Sequence, residues 1–215
     1  MCLCNGVTMR NNLICNTGNT KELSIDFRIK KAPVSPVLIK GEVIEIVDSY
    51  KYLGVYVDKR LDWKANTNAI YKKTQSRLFF LRRLRSFDAS KQLLRVFYQS
   101  IVASVIFFAV VCWGCCLDSS KTKGGKENSD KINKLIKKAG SVIGMVPDSL
   151  ETVTRLRTGR KLSSILDNNE HPLFAVFDGL RIPRSGRLRA PIGSDRFGKT
   201  FVPTAVRFFN DNYSQ

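Results

Sequence analysis

Asp48-Ser-Tyr-Lys-Tyr-Leu-Gly-Val-Tyr-Val-Asp58 runs through Leu61-Asp-Trp63 into Tyr71-Lys-Lys-Thr-Gln-Ser-Arg-Leu-Phe-Phe-Leu-Arg-Arg-Leu-Arg85. Tyr50 to Val57 is rich in Tyr and Val, which favour strands, and it carries a tight Tyr52-Leu53-Gly54 element. From Ala65 to Phe87 the pattern changes. Ile70, Leu78, Leu81 and Leu84 fall mostly at spacings of three, and Lys72, Lys73, Arg77, Arg82, Arg83 and Arg85 lie between them. That is the pattern of an amphipathic helix with a cationic outer face. A β segment giving way to helix makes the fold class α+β. We expect a small antiparallel β region, a mainly helical domain and a loop-rich C-terminal tail, over 1–63, 64–145 and 146–215.

Outward from that stretch, Leu23, Ile25 and Phe27 alternate with polar neighbours, as in a half-buried strand that Pro33 and Pro36 end. Val37 to Ile39, Lys40-Gly41 and Val43 to Val47 read as a hairpin. On the C-terminal side, Ser90 can cap a second helix reaching about Trp113. Ser119 to Ser129 reads as a Lys, Gly and Ser loop. Asp130 to Ile143 is a third helix, with Ile132, Leu135, Ile136, Ala139 and Ile143 on one side. Shorter helices are expected at Leu150–Thr158, Leu162–Asp167 and Thr204–Asn210. Pro172, Pro183, Pro191 and Pro203 make the rest of the tail mostly loop.

Thirty-six Lys+Arg against 18 Asp+Glu leave a net charge of +18. Such a field attracts polyanions, nucleic acid first and an anionic membrane surface second. The cations fall in blocks at Lys72–Arg85, Lys121–Lys138, Arg155–Lys161 and Arg181–Arg207. Several patches suit backbone contact with a long polymer better than one small-anion pocket. The expected partner is therefore RNA or DNA, bound without sequence preference, and no small-molecule substrate.

Six cysteines stand in two groups, Cys2, Cys4, Cys15 and Cys112, Cys115, Cys116. No apolar signal segment precedes them, so free thiols in a reducing compartment, nuclear or cytoplasmic, are expected. Cys112-Trp-Gly-Cys115 has redox or zinc spacing, but it ends an apolar run, and buried small hydrophobes are the plainer reading. That run, Ile101–Leu117, has no charge and is just short of the roughly 20 residues of a membrane span. It continues from Lys91–Ser100, so a buried core helix is expected rather than a span, and a membrane-associated basic protein using Ile101–Leu117 is the second alternative reading.

Taken in order, these segments resemble the part of non-LTR (LINE, jockey-like) retrotransposon reverse transcriptases that follows the catalytic core. Asn16-x-x-Asn-Thr-Lys-Glu-Leu23 with Asp26-Phe-Arg28 is similar to the family's Asn-x-x-Lys-Thr-Lys-Glu segment and trailing strand, with Asn19 in place of its Lys. Tyr50-Lys-Tyr-Leu-Gly54 resembles the primer-grip turn. Leu61-Asp-Trp63 and Arg77–Arg83 resemble the start of the thumb, and Phe97–Ile101 through Cys112-Trp-Gly114 its next helix. His171-Pro-Leu173, Ser185–Arg189, Arg196-Phe197 and Phe201–Val206 resemble the C-terminal region. The resemblance implies a palm-derived β region over 1–63, a thumb-like domain over 64–145, a primer grip at Tyr52, Leu53 and Gly54, and nucleic-acid contact through Lys72, Lys73, Arg77, Arg82, Arg83 and Arg85. The polymerase reaction needs carboxylates that hold two divalent metals. The family draws them from an upstream Asp and a Tyr/Phe-x-Asp-Asp turn, and this sequence has no Asp-Asp pair. The expectation is a fragment lacking the catalytic palm, not an enzyme, with no cofactor and no metal.

Ile70 to Phe87 also resembles the N-terminal module of AlkB homologue eight, a tRNA-modifying family that joins a 2-oxoglutarate oxygenase to a methyltransferase. An oxygenase iron site needs a His-x-Asp/Glu pair and a distant His, whereas His171 is the single histidine here. A methyltransferase would want a Gly-rich loop after a strand, and none is present. The alternative reading is therefore an accessory module of tRNA modification, without either chemistry. Asp58 and Asp62 could share one metal, but turn and cap roles are commoner for Asp at such positions. Phe79, Phe80, Tyr50, Tyr52 and Trp63 could stack on bases, although core packing is expected for most of them.

Overall fold

In a computed structural model the described residues are 16–26, 35–117, 123–195 and 197–212. The chain divides into two compact units, Met1–Leu61 and Asp62–Gln215. The expected helical and tail regions both lie inside the second unit.

The first unit is built from very short strands: β1 Lys21–Glu22, β2 Leu38–Ile39, β3 Glu42–Val43, β4 Glu45–Ile46, β5 Ser49–Tyr52 and β6 Val55–Asp58. They form three separate two-stranded ladders. β2–β3 and β5–β6 are antiparallel hairpins, but β1 runs parallel to β4. The expectation of an all-antiparallel β region is corrected on that pair. The cause is local. The chain leaves β3 at the buried Ile44 and pairs at once with a different strand, so Lys21 meets Glu45 and the two form an ion pair. The single strand expected over Tyr50–Val57 is in fact the β5–β6 hairpin, folded at Leu53-Gly54. Both turn residues have positive φ, 46° and 89°, as a two-residue type I′ turn requires. Gly54 takes that conformation freely, whereas an L-residue such as Leu53 is strained there by about 1–2 kcal/mol. The half-buried strand expected over Lys21–Arg28 forms at Lys21–Glu22, as β1, and not at the described residues 23–26. Cys2, Cys4, Cys15 and Phe27 lie outside the described residues.

The second unit is helical. α1 spans Lys64–Ser86, α2 Lys91–Ile106, α3 Val110–Leu117, α4 Lys123–Ile143, α5 Leu150–Leu166, α6 Phe174–Asp178 and α7 Phe201–Asn212. α1 starts where Asp62 Oδ1 accepts the Lys64 backbone N–H at 2.9 Å, satisfying one of the free amides of the first turn. It buries Ile70, Leu78 and Leu81 together with Thr67 and Thr74, and packs along α4. α4 contributes Ile132, Leu135, Ile136, Ala139 and Ile143, all buried at helical spacing. It begins seven residues before the expected start at Asp130. Gly124 and Gly125 each cost a helix about 1 kcal/mol, and the continuous apolar stripe behind them offsets it. α5 likewise runs unbroken through Gly159, replacing the two short helices expected there.

The apolar run Ile101–Leu117 is not one helix. Ser90 caps α2 as expected, its hydroxyl accepting the Leu93 N–H at 3.2 Å. Tyr98–Ala103 then widens into a π-helical turn, and the chain breaks at Phe107–Ala109, where Ala109 has φ 50°. α3 leaves bent by 71° from α2. Two side chains hold the break. Arg157 Nη1 donates to the Phe107 carbonyl at 2.9 Å, and Trp113 Nε1 donates to the Phe108 carbonyl at 2.8 Å. Both carbonyls lie at the end of α2, where its backbone ladder stops; Phe107 also accepts the Val110 N–H at 3.3 Å, and the two side chains complete the bend. Among the described residues no single helix is long and apolar enough to cross a membrane; α2 and α3 pass such a test only as the bent pair. Val102, Ile106, Val110, Trp113 and Leu117 are buried within the unit. The expressed protein should accordingly stay out of the membrane pellet after carbonate extraction, and firm retention there without aggregation would contradict this packing.

α3 approaches α5 at Gly114. A Cβ there would lie 2.5 Å from Thr154 Oγ1 and 2.8 Å from Val110 Cγ2. Thr154 is buried and its hydroxyl is committed to the Leu150 carbonyl at 2.7 Å, so it cannot swing aside without losing that bond. Gly114→Ala should cost about 1–3 kcal/mol, the range for overpacking a filled core, read as a lowered midpoint in denaturant unfolding.

The tail is better organised than its prolines imply. Leu162, Ile165, Phe177, Leu188, Ala205 and Val206 form one buried cluster. Asn210 of α7 clamps Leu188 like a neighbouring strand. Its Oδ1 accepts the Leu188 N–H at 2.9 Å and its Nδ2 donates to the Leu188 carbonyl at 2.7 Å. Ser185–Arg189 is thereby fixed on the helices.

Candidate nucleic-acid interface

α1 positions the candidate residues. Its inner stripe is set by the apolar positions, the threonines and Asn66, and the basic residues between them point to solvent. Lys72, Lys73, Arg77, Arg82 and Arg83 are all exposed. Lys72 and Arg83 sit on the crest of the helix, opposite the buried stripe, with Lys73 and Arg82 on its two flanks. Among the described residues no carboxylate forms an ion pair with any of these five; the pairs present are Lys21–Glu45, Lys59–Asp48 and Arg181–Asp178. Among the described residues the charges on this face are thus uncompensated.

Arg85 differs from the others. Its Nη1 donates to the Ser141 and Val142 carbonyls at 2.7 and 2.8 Å, closing the C-terminal end of α4. That placement matches the helix dipole and the unsatisfied last carbonyls, and it removes Arg85 from the set of free cations. The other basic blocks are partly spent in the same way. Arg157 holds the α2–α3 break, Arg207 donates to the Gly198 carbonyl at 2.8 Å, and Arg155 lies over the Phe208 ring at 5.3 Å. Lys131 of α4 donates to Asn68 Oδ1 at 2.6 Å and covers the Tyr71 ring at 5.0 Å, tying α4 to α1.

The aromatics part company with the expectation of core packing. Trp63 is buried, but Phe79 and Phe80 are 58% and 49% exposed, and Phe87 is 71% exposed. Phe79 and Phe80 meet edge to face, centroids 5.6 Å apart, and Arg83 lies over the Phe87 ring at 5.1 Å. Phe79 and Phe80 stand about 100° and 160° around the helix from Leu78, off the stripe that Ile70, Thr74, Leu78 and Leu81 bury. Phe87, and Ile101 on the facing wall, were not singled out in the sequence. An apolar residue just past the stripe's last member is the signal that marks Phe87.

Of the primer-grip-like residues, Tyr52 and Leu53 are 63% and 78% exposed at the tip of the β5–β6 hairpin, with Gly54 beside them. Asp58 and Asp62 hold local roles, Asp58 Oδ1 accepting the Arg60 N–H and Asp62 that of Lys64. The thiols of α3 are packed groups. Cys115 is buried against the Thr158 hydroxyl, and burial pushes the Cys116 thiol up to about 11 and raises Cys112 as well. All three sit on one helix, and the raised Cys112 and Cys116 hold little thiolate at neutral pH, which suits packing rather than redox exchange. Among the described residues no three His, Cys, Asp or Glu side chains gather to hold a metal. His171 Nδ1 accepts the Leu173 N–H at 3.1 Å in its loop, a local role.

Residues 63–104 match the family profile described as alkylated DNA repair protein alkB homolog 8, N-terminal. The match is wider than the basic stretch 70–87 and takes in Trp63, all of α1 and α2 as far as Ser104. It covers well under half of the chain. A search of curated proteins found no match, and neither did a search of solved structures.

Proposed function

We propose that the helical unit Asp62–Gln215 is a non-enzymatic nucleic-acid-binding module that meets the phosphate backbone along α1. One observation carries this reading: five exposed cations on a single helix, none paired with a carboxylate among the described residues, in a chain of net charge +18. Cations so placed release counterions from a polyanion without reading bases, so binding is strong at low salt and indifferent to sequence. The likeness over 63–104 to the N-terminal part of alkB homolog 8 supports an accessory module working on RNA, with tRNA as the substrate class that family implies. In that role the module brings RNA to a catalytic partner and performs no step itself. Ultraviolet crosslinking of the full chain to labelled single-stranded RNA should place the crosslinked peptides within residues 64–104. Crosslinks confined to the tail would contradict the assignment.

A second reading, descent from a non-LTR retrotransposon reverse transcriptase, is favoured by the order of the Tyr-Leu-Gly turn, the Leu-Asp-Trp start and the basic helix along the sequence. A hairpin tip followed by a helical unit is compatible with a primer grip and thumb. On either reading the chain is not a polymerase. Primer extension on an RNA template with magnesium or manganese should match a protein-free blank, and incorporation that co-purifies with the chain would overturn that.

A further inference from the structure

Between the outer side of α1 and α2 lies an open groove of about 630 Å³. Phe79, Phe80 and Phe87 line one wall, Ile101 and Ser104 the other, and Arg77 and Arg83 stand at the lip. The π-helical turn Tyr98–Ala103 falls where α2 forms its wall; such turns are frequent at functional sites. Three exposed phenylalanines within one groove are not the scattered apolar residues any surface carries.

We propose that this groove takes the unstacked bases of a single nucleic-acid strand, with the strand's phosphates on Arg77 and Arg83. The inference rests on the nucleic-acid reading above and extends it to the form of nucleic acid preferred. Charge decides the occupant. Among the described residues the groove's cations have no carboxylate ion-pair partner, and a second copy of a chain at +18 would be repelled from it. A polyanion with flat apolar faces satisfies both features. Phe79 and Phe80 stand at 75° to each other, so one ring offers its face while the other offers an edge to the same entering base. A duplex keeps its base faces stacked inside and can use only the cations. Single strands should therefore bind tighter than duplex of the same length.

The test measures binding of the full chain to a fluorescein-labelled oligouridylate and to an RNA hairpin, over a series of salt concentrations. Phe79→Ala/Phe80→Ala should weaken oligouridylate binding about tenfold or more and leave the hairpin affinity unchanged. Phe79→Tyr/Phe80→Tyr should bind like the parent, since the rings remain. The salt slope should stay the same in both, because no charge is removed. Both positions are exposed, at 58% and 49%, so the fold tolerates the changes. If the parent binds both ligands and the alanine pair matches it, or loses the same factor on the hairpin, the groove assignment fails and the backbone reading stands. If the parent binds neither ligand, both fail. If the alanine pair instead abolishes self-association seen by sedimentation, the groove belongs to a second copy and the assignment is wrong.

Discussion

Replacing Lys72, Lys73, Arg82 and Arg83 together by glutamine should weaken binding to single-stranded RNA and to duplex by a common factor. Glutamine keeps helix propensity close to that of Lys and Arg, and all four positions are exposed, so the folded unit should persist. At about 0.2–1 kcal/mol for each exposed charge contact, the loss is about 1–4 kcal/mol, roughly fivefold to a thousandfold. The factor should not depend on base sequence, because phosphate contacts carry none. Far-ultraviolet circular dichroism serves as the control for folding.

The second large effect concerns stability. Trp113→Ala should cost about 3–5 kcal/mol, the range for deleting a buried aromatic side chain. Trp113 is fully buried, and its Nε1 supplies the Phe108 carbonyl at the α2–α3 break. Its loss opens a cavity between α3 and its neighbours and strands that carbonyl at a bend of 71°. Equilibrium unfolding in urea should show a shifted midpoint or outright loss of the folded baseline. A change below about 1 kcal/mol would mean that the bend is held without the indole.

How much of this was legible in the sequence differs element by element. The cationic helix was, since Ile70, Leu78 and Leu81 alone give its inner face. Thr67 and Thr74 complete that face but look polar, which blurs the period. The α2–α3 break was not legible. Nothing in Phe107-Phe-Ala109 demands it; the donors come from Arg157, far along the chain, and from Trp113. The start of α4 was hidden by Gly124 and Gly125, whose local preference is overridden by packing of the later stripe. The parallel β1–β4 pair joins segments more than twenty residues apart, beyond what alternation within one segment encodes.

The site was half legible. Counting basic residues located α1 but overstated the other blocks, because Arg85, Arg157 and Arg207 hold backbone carbonyls. An arginine that caps a carbonyl and one that waits for a phosphate look alike in sequence. Base stacking was open to Phe79 and Phe80, with core packing expected for most of the five aromatics, whereas their positions about 100° and 160° around the helix from Leu78 argue for exposure. A free cation beside an exposed ring is a tertiary property, and it is this pairing that distinguishes α1 from the other basic segments.

The most direct test of the central claim is the salt dependence of RNA binding by the parent chain and the quadruple glutamine variant. Each phosphate neutralised contributes about −0.7 to −0.9 to the slope of log affinity against log salt. Removing four such cations should make the slope shallower by about 3. An unchanged slope in a folded variant would show that the cationic face of α1 is merely solvated and that nucleic acid, if bound at all, is bound elsewhere.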